Sequence, residues 1–110
     1  MADYLKDFEL LVLLAVLRLD EDDAYGVPIA TEIEQTTGRS VAQASVYAAL
    51  ERLEDRGWVS SRVGESTAQR GGRAKRHFRV TTQGLRRVRE AKGALVKMWN
   101  GIRELQGGTT

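Results

Sequence analysis

Basic residues are concentrated in one stretch of the sequence, residues 62–79, in which Glu65 is the one acid. Two adjacent glycines lie beside Arg73 in this stretch, and glycine lets the backbone approach a partner closely. A flexible loop that bears arginine can lie along phosphates or enter a narrow minor groove of DNA. We therefore expect DNA contacts, with solvated side chains as the alternative, from Arg70, Gly72, Arg73, Lys75 and Arg76.

A second group of candidate residues has helical spacing. Val46, Leu50 and Leu53 form an apolar stripe, and the opposite face carries Gln43 and Tyr47 one turn apart. In a helix that enters the major groove, glutamine can pair with an adenine edge, small residues permit close approach, and tyrosine can contact the backbone. The residues of this group that we expect to bind DNA are Arg39, Gln43, Ala44, Ser45, Tyr47, Ala48 and Arg52. The alternative is that they are ordinary solvent-facing residues.

The formal net charge of +2 conceals an uneven distribution along the chain. Residues 1–38 hold two bases and nine acids, whereas residues 39–92 hold thirteen bases and five acids. Such a division is expected when one surface faces a polyanion, although charge alone also fits a solvated mosaic.

Other classes of chemistry find little support in the composition. The 110 residues include no cysteine and one histidine, so neither a disulfide framework nor a zinc site of the usual type can form within one chain. No nucleophile–base pair or phosphate-cradling glycine motif is recognisable, and we expect neither an enzyme nor a cofactor. The longest apolar run, residues 10–17, is too short to span a bilayer. We expect a cytoplasmic protein of one domain without a signal peptide or membrane anchor.

The apolar spacing predicts helices over about 4–19, 26–37 and 42–56, followed by strands over 58–63 and 75–80 that are joined by a long loop. Gly38 and Gly57 can terminate the second and third helices, with Trp58 folded back on the last turn. Thr81 or Thr82 can cap a final helix that runs to about residue 105, before a disordered tail over 106–110. This order predicts an α+β, mainly α, fold: a winged helix-turn-helix with a two-stranded β wing.

Alternation along the second strand predicts that Phe78 and Val80 face inward and that His77 and Arg79 face outward. We therefore interpret His77 as a solvated residue or a neighbour of a phosphate, without a catalytic role.

The first and last helices predict a homodimer. The first is apolar on every side, so in so short a chain one of its faces needs a second subunit. In the last helix, apolar residues from Val88 to Leu105 are spaced by three and four, as in a short coiled-coil seam. Gly93 and the Asn100-Gly101 pair lower its helix propensity, and packing within one chain is the alternative.

We expect residues 1–82 to form the DNA-binding domain and residues 83–105 the dimerisation helix. The predicted interface residues are Leu10, Leu13, Leu14, Leu17, Val88, Ala91, Leu95, Met98, Trp99 and Ile102.

Four segments, ELLVLL (9–14), AYGVPI (24–29), VYAALERL (46–53) and GGRAKR (71–76), together resemble the PadR family of bacterial and archaeal transcriptional regulators. The resemblance runs from about residue 4 to residue 102, and the short C-terminal region resembles the family's small type. It implies a winged helix, a homodimer formed by the first and last helices, and repression of promoters, often of detoxification or efflux genes.

Four positions depart from the family pattern, in two places. Ala42 and Ala44 stand where serine and glycine are common, which leaves Ser40 as an alternative helix cap. His77 and Thr82 stand where tyrosine and proline are common, and we expect a change in local packing only.

Trp99 lies beside the predicted seam, where two indoles across a two-fold axis could sandwich a flat molecule. The resemblance implies that some small members bind planar compounds at this place and then release DNA. We therefore predict that Trp99 and Val96 bind an aromatic effector, with an ordinary interface tryptophan as the alternative. Two other functions stay open: a winged-helix module that binds another protein, and a sequence-tolerant nucleic-acid binder.

Overall fold

The computed structural model describes residues 5–64 and 75–106. Its elements in chain order are the helices α1 (Asp7–Arg18), α2 (Gly26–Thr37) and α3 (Gln43–Asp55), the strands β1 (Val59–Val63) and β2 (Arg76–Val80), and the helix α4 (Thr82–Trp99). Short 3-10 turns cover Glu21–Asp23 and Arg103–Leu105. The predicted mainly helical α+β order is confirmed in the described residues.

The core lies between α1, α2 and α3 and is closed on one side by the hairpin. Val12 and Leu13 of α1, Ile29 of α2, and Leu50 and Leu53 of α3 have no exposed surface. The strands are antiparallel, with Val59 opposite Val80 and Val63 opposite Arg76. As the alternation predicts, Phe78 and Val80 face inward and are buried.

Two glycines end helices as predicted. Gly38 follows α2 with φ 77°, and Gly57 follows α3 with φ 80°, a left-handed conformation that glycine adopts without strain. After α3, the Trp58 amide donates to the Leu53 carbonyl at 2.9 Å and the Gly57 amide to the Glu54 carbonyl at 2.9 Å, which is a Schellman motif. Trp58 is thereby folded back and buried.

Helix α4 begins as predicted but ends earlier. Thr81 is its cap, because its hydroxyl oxygen accepts from the Gly84 amide at 3.0 Å. The helix stops at Trp99, and the predicted end at residue 105 is wrong: Asn100 is extended and Gly101 has φ 87°. Ile102 and Leu105 therefore lie beyond the helix, outside the predicted seam.

The two ends of α4 have different surroundings. Gly84 lies directly against the Trp58 carbonyl, and Leu85 and Val88 pack on the core. Beyond them the helix leaves the core, and Leu95, Met98 and Trp99 are exposed. Leu13 was predicted to contact a second subunit, and this is wrong, because its side chain is fully buried within the single chain.

Candidate nucleic-acid interface

One face of α3 is free of the core. Val46, Ala49, Leu50 and Leu53 bury the inner face. The residues predicted to read a groove are all exposed on the other side: Gln43, Ala44, Ser45, Tyr47 and Ala48. The helix starts at Gln43 with Ala42 as its cap residue, so the alternative cap at Ser40 is wrong.

Tyr47 has a defined position on this face because it lies on another helix. A Cβ at Gly26, the first residue of α2, would overlap the Cζ and hydroxyl of Tyr47. The ring therefore covers the space that a side chain at residue 26 would occupy, while 39% of Tyr47 stays exposed. Two of the motifs noted in the sequence, AYGVPI and VYAALERL, are thus in direct contact.

A buried carboxylate on α1 forms ion pairs with the C-terminal part of α3. Glu9 of α1 has no exposed surface. Its side chain accepts from the Lys6 amide at 3.2 Å, from Arg52 Nε at 2.9 Å and from Arg56 Nη1 at 3.3 Å. Burial alone would raise the pKa of Glu9, but the hydrogen bonds from Arg52 and Lys6 and the charges of both arginines outweigh it, so the pKa is lowered.

Arg52 was predicted to bind DNA, and in the structure it supports α3. Its Nε donates to Glu9, which also accepts from Arg56 and from the Lys6 amide. Because 46% of the Arg52 side chain is exposed, its contact with DNA stays a prediction. Neither Glu9 nor its partners could be identified from local spacing, because they are 43 and 47 residues apart.

Basic side chains of the wing form hydrogen bonds with residues of the helical part of the domain. Lys75 donates to the Tyr25 hydroxyl at 3.0 Å, with its ammonium 4.4 Å from the centre of that ring. Arg76 donates to Glu54 of α3 and, through Nε, to the Ser61 hydroxyl at 3.0 Å. The predicted DNA-binding residues Arg70, Gly72 and Arg73 lie outside the described residues.

Arg39 lies near the start of the turn between α2 and α3, directly after Gly38. Its Nη1 is 3.0 Å from Asp7 Oδ2, and both side chains are more than half exposed. An exposed pair of this kind contributes little, about 0–1 kcal/mol, so a phosphate could replace the carboxylate.

His77 is not the solvated residue that was predicted. It is half-buried, its Nε2 lies 3.0 Å from the Asp22 carbonyl oxygen, and its ring meets Tyr25 edge-on with centroids 5.4 Å apart. Alternation placed it correctly on the outer face of β2. That face is covered by the turn before α2, a contact that the strand pattern does not reveal.

Of the residues predicted to join two subunits, some are half-buried and others are exposed in the single chain. Val88 and Ala91 are half-buried, as is Leu10. Leu14, Leu17, Leu95, Met98, Trp99 and Ile102 are exposed, as is Val96. Between α1 and α4 lies a groove of about 480 Å³, lined mainly by apolar side chains that include Leu10, Ala91 and Leu95.

Two other kinds of site find no support in the described ranges 5–64 and 75–106. No cluster of histidine, cysteine and acidic side chains there could hold a metal ion. None of the helices in those ranges is both long and apolar enough to cross a membrane.

A helix with an exposed polar face, placed beside a hairpin with basic residues, defines a winged helix-turn-helix of the DNA-binding class. Residues 13–90 match the transcriptional regulator PadR-like family. The chain therefore belongs to this family and is a DNA-binding transcription regulator, not an enzyme. The predicted family and fold class are confirmed.

Solved structures of other regulators share this fold. A transcriptional regulator from Clostridium thermocellum is 21% identical, with a TM-score of 0.71 over 89% of this chain and 91% of that chain. A PadR-like regulator from Bacillus cereus is 19% identical, with a TM-score of 0.69 over 93% of both. A PadR family regulator from Eggerthella lenta is 23% identical, with a TM-score of 0.68 over 90% and 83%. No curated protein sequence matches the chain.

Proposed function

We propose that the protein is a homodimeric repressor that binds a palindromic operator. The α3 helix enters the major groove, and the wing contacts the adjacent backbone. The observation that carries this proposal is the exposed face of α3, where Gln43 lies one turn from Tyr47, whose ring packs over Gly26. Rigid presentation of groove-reading side chains is what sequence-specific binding requires.

The exposed apolar end of α4 supports the homodimer. Leu95, Met98 and Trp99 expose 58%, 77% and 55% of their surface. Adjacent large apolar residues at this exposure favour burial against a partner. In our proposal residues 1–82 bind DNA, α4 joins two copies, and the two-fold axis of the dimer imposes the palindrome. In this proposal the protein acts in the cytoplasm of a bacterium or archaeon and is associated with the nucleoid when it binds DNA.

A selection of bound duplexes from random DNA tests this proposal. We expect a palindromic consensus, weaker binding by Gln43→Ala and Tyr47→Ala, and a relaxed base preference for Gln43→Ala. Each lost contact typically costs about 1–3 kcal/mol. Wild-type affinity for the consensus in both variants would show that α3 is not the reading helix.

The wing is tested by its salt dependence. Neutralising Arg70 and Arg73 should weaken binding to all duplexes and lower the slope of log affinity against log salt by about one unit per lost phosphate contact. An unchanged slope would mean that these residues are only solvated. A protein that binds its selected duplex no better than random DNA would instead be a sequence-tolerant binder.

We further propose that a planar aromatic effector releases the operator. The exposed indole of Trp99, with Val96 nearby on α4, offers an apolar surface next to the groove between α1 and α4, although neither residue lines that groove. Such a ligand induces transcription only if it binds the DNA-incompetent arrangement more tightly.

In a Trp58→Phe background, Trp99 is the one remaining tryptophan and reports on this surface. We expect planar aromatic compounds to quench its fluorescence and to weaken operator binding. Unchanged ligand affinity in Trp99→Ala would remove the effector site and leave the DNA-binding proposal intact.

The exposed apolar end of α4 also favours a second candidate function, a module that binds another protein.

A further inference from the structure

Three side chains from three elements meet where the wing joins α3. Ser61 of β1 donates its hydroxyl to Glu54 Oε2 at 2.6 Å and accepts from Arg76 Nε at 3.0 Å. Arg76 of β2 also donates through Nη2 to Glu54 Oε1. Both carboxylate oxygens of Glu54, in the last turn of α3, are therefore occupied, and the three residues form a closed ring.

The direction of Arg76 follows from the strand register. Ser61 pairs with Phe78 and Val63 with Arg76, so Ser61 and Arg76 are diagonal neighbours on one face of the hairpin. This is the face that carries the buried Phe78, and the guanidinium carbon of Arg76 lies 5.4 Å from the centre of that ring. Arg76 thus points toward α3, at the last paired position before the loop.

We propose that Glu54, Ser61 and Arg76 are positioning residues that fix the wing against α3, and that Arg76 does not contact a phosphate. This inference rests on the proposed function, in which α3 and the wing hold one duplex together. A hairpin of two short strands is marginally stable by itself, and a guanidinium that bonds the Glu54 carboxylate and the Ser61 hydroxyl at once restricts its direction. If Arg76 turned to DNA, the freed Glu54 carboxylate would stand close to the phosphates and repel them.

Charge reversal separates the two roles of Arg76. Arg76→Glu and Glu54→Arg each place like charges at the ring, and we expect operator affinity to fall at least roughly fivefold in each. The double variant restores an opposite pair with the same net charge, and we expect affinity within about twofold of wild type with the wild-type salt slope. A double variant that stays as weak as Arg76→Glu would overturn the inference.

Milder variants test the same point if a reversed charge impairs folding. We expect Ser61→Ala and Arg76→Gln to bind more weakly with an unchanged salt slope, in protein whose thermal unfolding shows that it is folded. Arg79→Gln is the matched control, because it removes one charge from the other face of β2 and measures the general electrostatic effect. A slope lowered by about one unit in Arg76→Gln but not in Arg79→Gln would show that Arg76 contacts a phosphate.

Failure of this inference differs from failure of the proposed function. If the wild-type protein selects no duplex, the proposed function fails. If it selects one and the charge-reversed pair is not restored, the positioning role alone fails.

Discussion

Glu9 is the residue on which the joint between α1 and α3 depends. It is an acid with no exposed surface, placed within hydrogen-bonding distance of Arg52 and Arg56. Removal of one partner from a buried ion pair leaves the other charge without compensation, which is costly. Because Arg52 and Arg56 are partly exposed, the loss in the free energy of unfolding when Glu9 is neutralised should be moderate.

We predict that Glu9→Gln lowers the free energy of unfolding at pH 7 by about 1–3 kcal/mol. The pKa of Glu9 is lowered in the folded protein, so its contribution is complete above its ordinary value of 4.5 and is lost as the pH falls through the folded-state pKa. The difference between wild type and variant should therefore shrink below about pH 4.5, measured by urea unfolding across pH. A difference that is constant from pH 7 to pH 3 would contradict a charged Glu9.

The contact between Gly26 and Tyr47 gives a second prediction for single residues. A methyl group at Gly26 overlaps the tip of the Tyr47 ring, which is free to turn aside into solvent. We expect Gly26→Ala to reduce operator affinity nearly as much as Tyr47→Ala, by about 1–3 kcal/mol, with a smaller effect on stability.

The double variant Gly26→Ala/Tyr47→Ala is the control for this coupling. It should bind no worse than Tyr47→Ala alone, because the clash disappears with the ring. Additive losses in the double variant would show that Gly26 acts independently of Tyr47.

Among the elements, α4 packs most closely against the domain in its first turn. The Gly84 backbone lies against the Trp58 carbonyl and the Val80 side chain. The Trp58 ring is in turn flanked by the guanidinium groups of Arg56 and Arg87, each 5.2 Å from its centre. The direction in which α4 leaves the core is therefore set by its first turn.

We predict that Gly84→Ala destabilises the protein by about 1–3 kcal/mol or more, because the neighbouring backbone cannot move aside as a side chain can. Gly93→Ala in the same helix is the matched control. A Cβ there meets no described atom within 4 Å, and alanine should stabilise the helix by up to about 1 kcal/mol. Thermal unfolding of the two variants gives the comparison, and equal midpoints would exclude a tight contact at Gly84.

The wing is attached at two places. The Phe78 amide of β2 donates to the Ala24 carbonyl at 2.8 Å, just before α2, and Arg76 reaches Glu54 at the end of α3. Because the hairpin is bonded to the domain at both its edge and its face, its position relative to α3 is fixed. A DNA-binding surface formed by α3 and the wing together requires such a fixed position.

In the whole molecule, the division of charge along the sequence is partly cancelled by folding. Asp7 pairs with Arg39, Glu9 with Arg52 and Arg56, and Asp22 with Arg62. These acids of the N-terminal part therefore neutralise bases of the following part. The linear imbalance overstates the positive charge that is free to meet a polyanion.

Dimerisation is the prediction for the whole molecule. Leu95 and Met98 are exposed in the single chain, so replacement of both by glutamate should leave the fold intact and abolish the dimer and DNA binding together. Sedimentation at micromolar concentration measures the first effect and operator affinity the second. Val63→Glu is the control for sedimentation alone, because this residue is 70% exposed at the loop end of the hairpin, away from α4, but lies in the wing that is proposed to contact DNA. A wild-type protein that sediments as a monomer would refute the dimer.

The sequence by itself determined the elements, because they depend on interactions between near neighbours. Apolar spacing placed α2 at its observed bounds, and Gly57 marked the end of α3 through the conformation that glycine favours. The exposed face of α3 followed from the buried stripe opposite to it. The first helix was predicted over 4–19 and runs from Asp7 to Arg18. The larger departure is the early end of α4 at Trp99, since the low propensity of Asn100 and Gly101 was outweighed in the prediction by the apolar spacing beyond them.

The tertiary structure alone decided which of the polar residues are free. Arg52, Arg76 and His77 were assigned to solvent or DNA from local pattern, and each is engaged by a group far away in the sequence. Glu9, directly before the apolar run 10–17, gave no sign of its role. Periodicity gives the face on which a residue lies, but an ion pair depends on which two faces meet, and long-range packing fixes that.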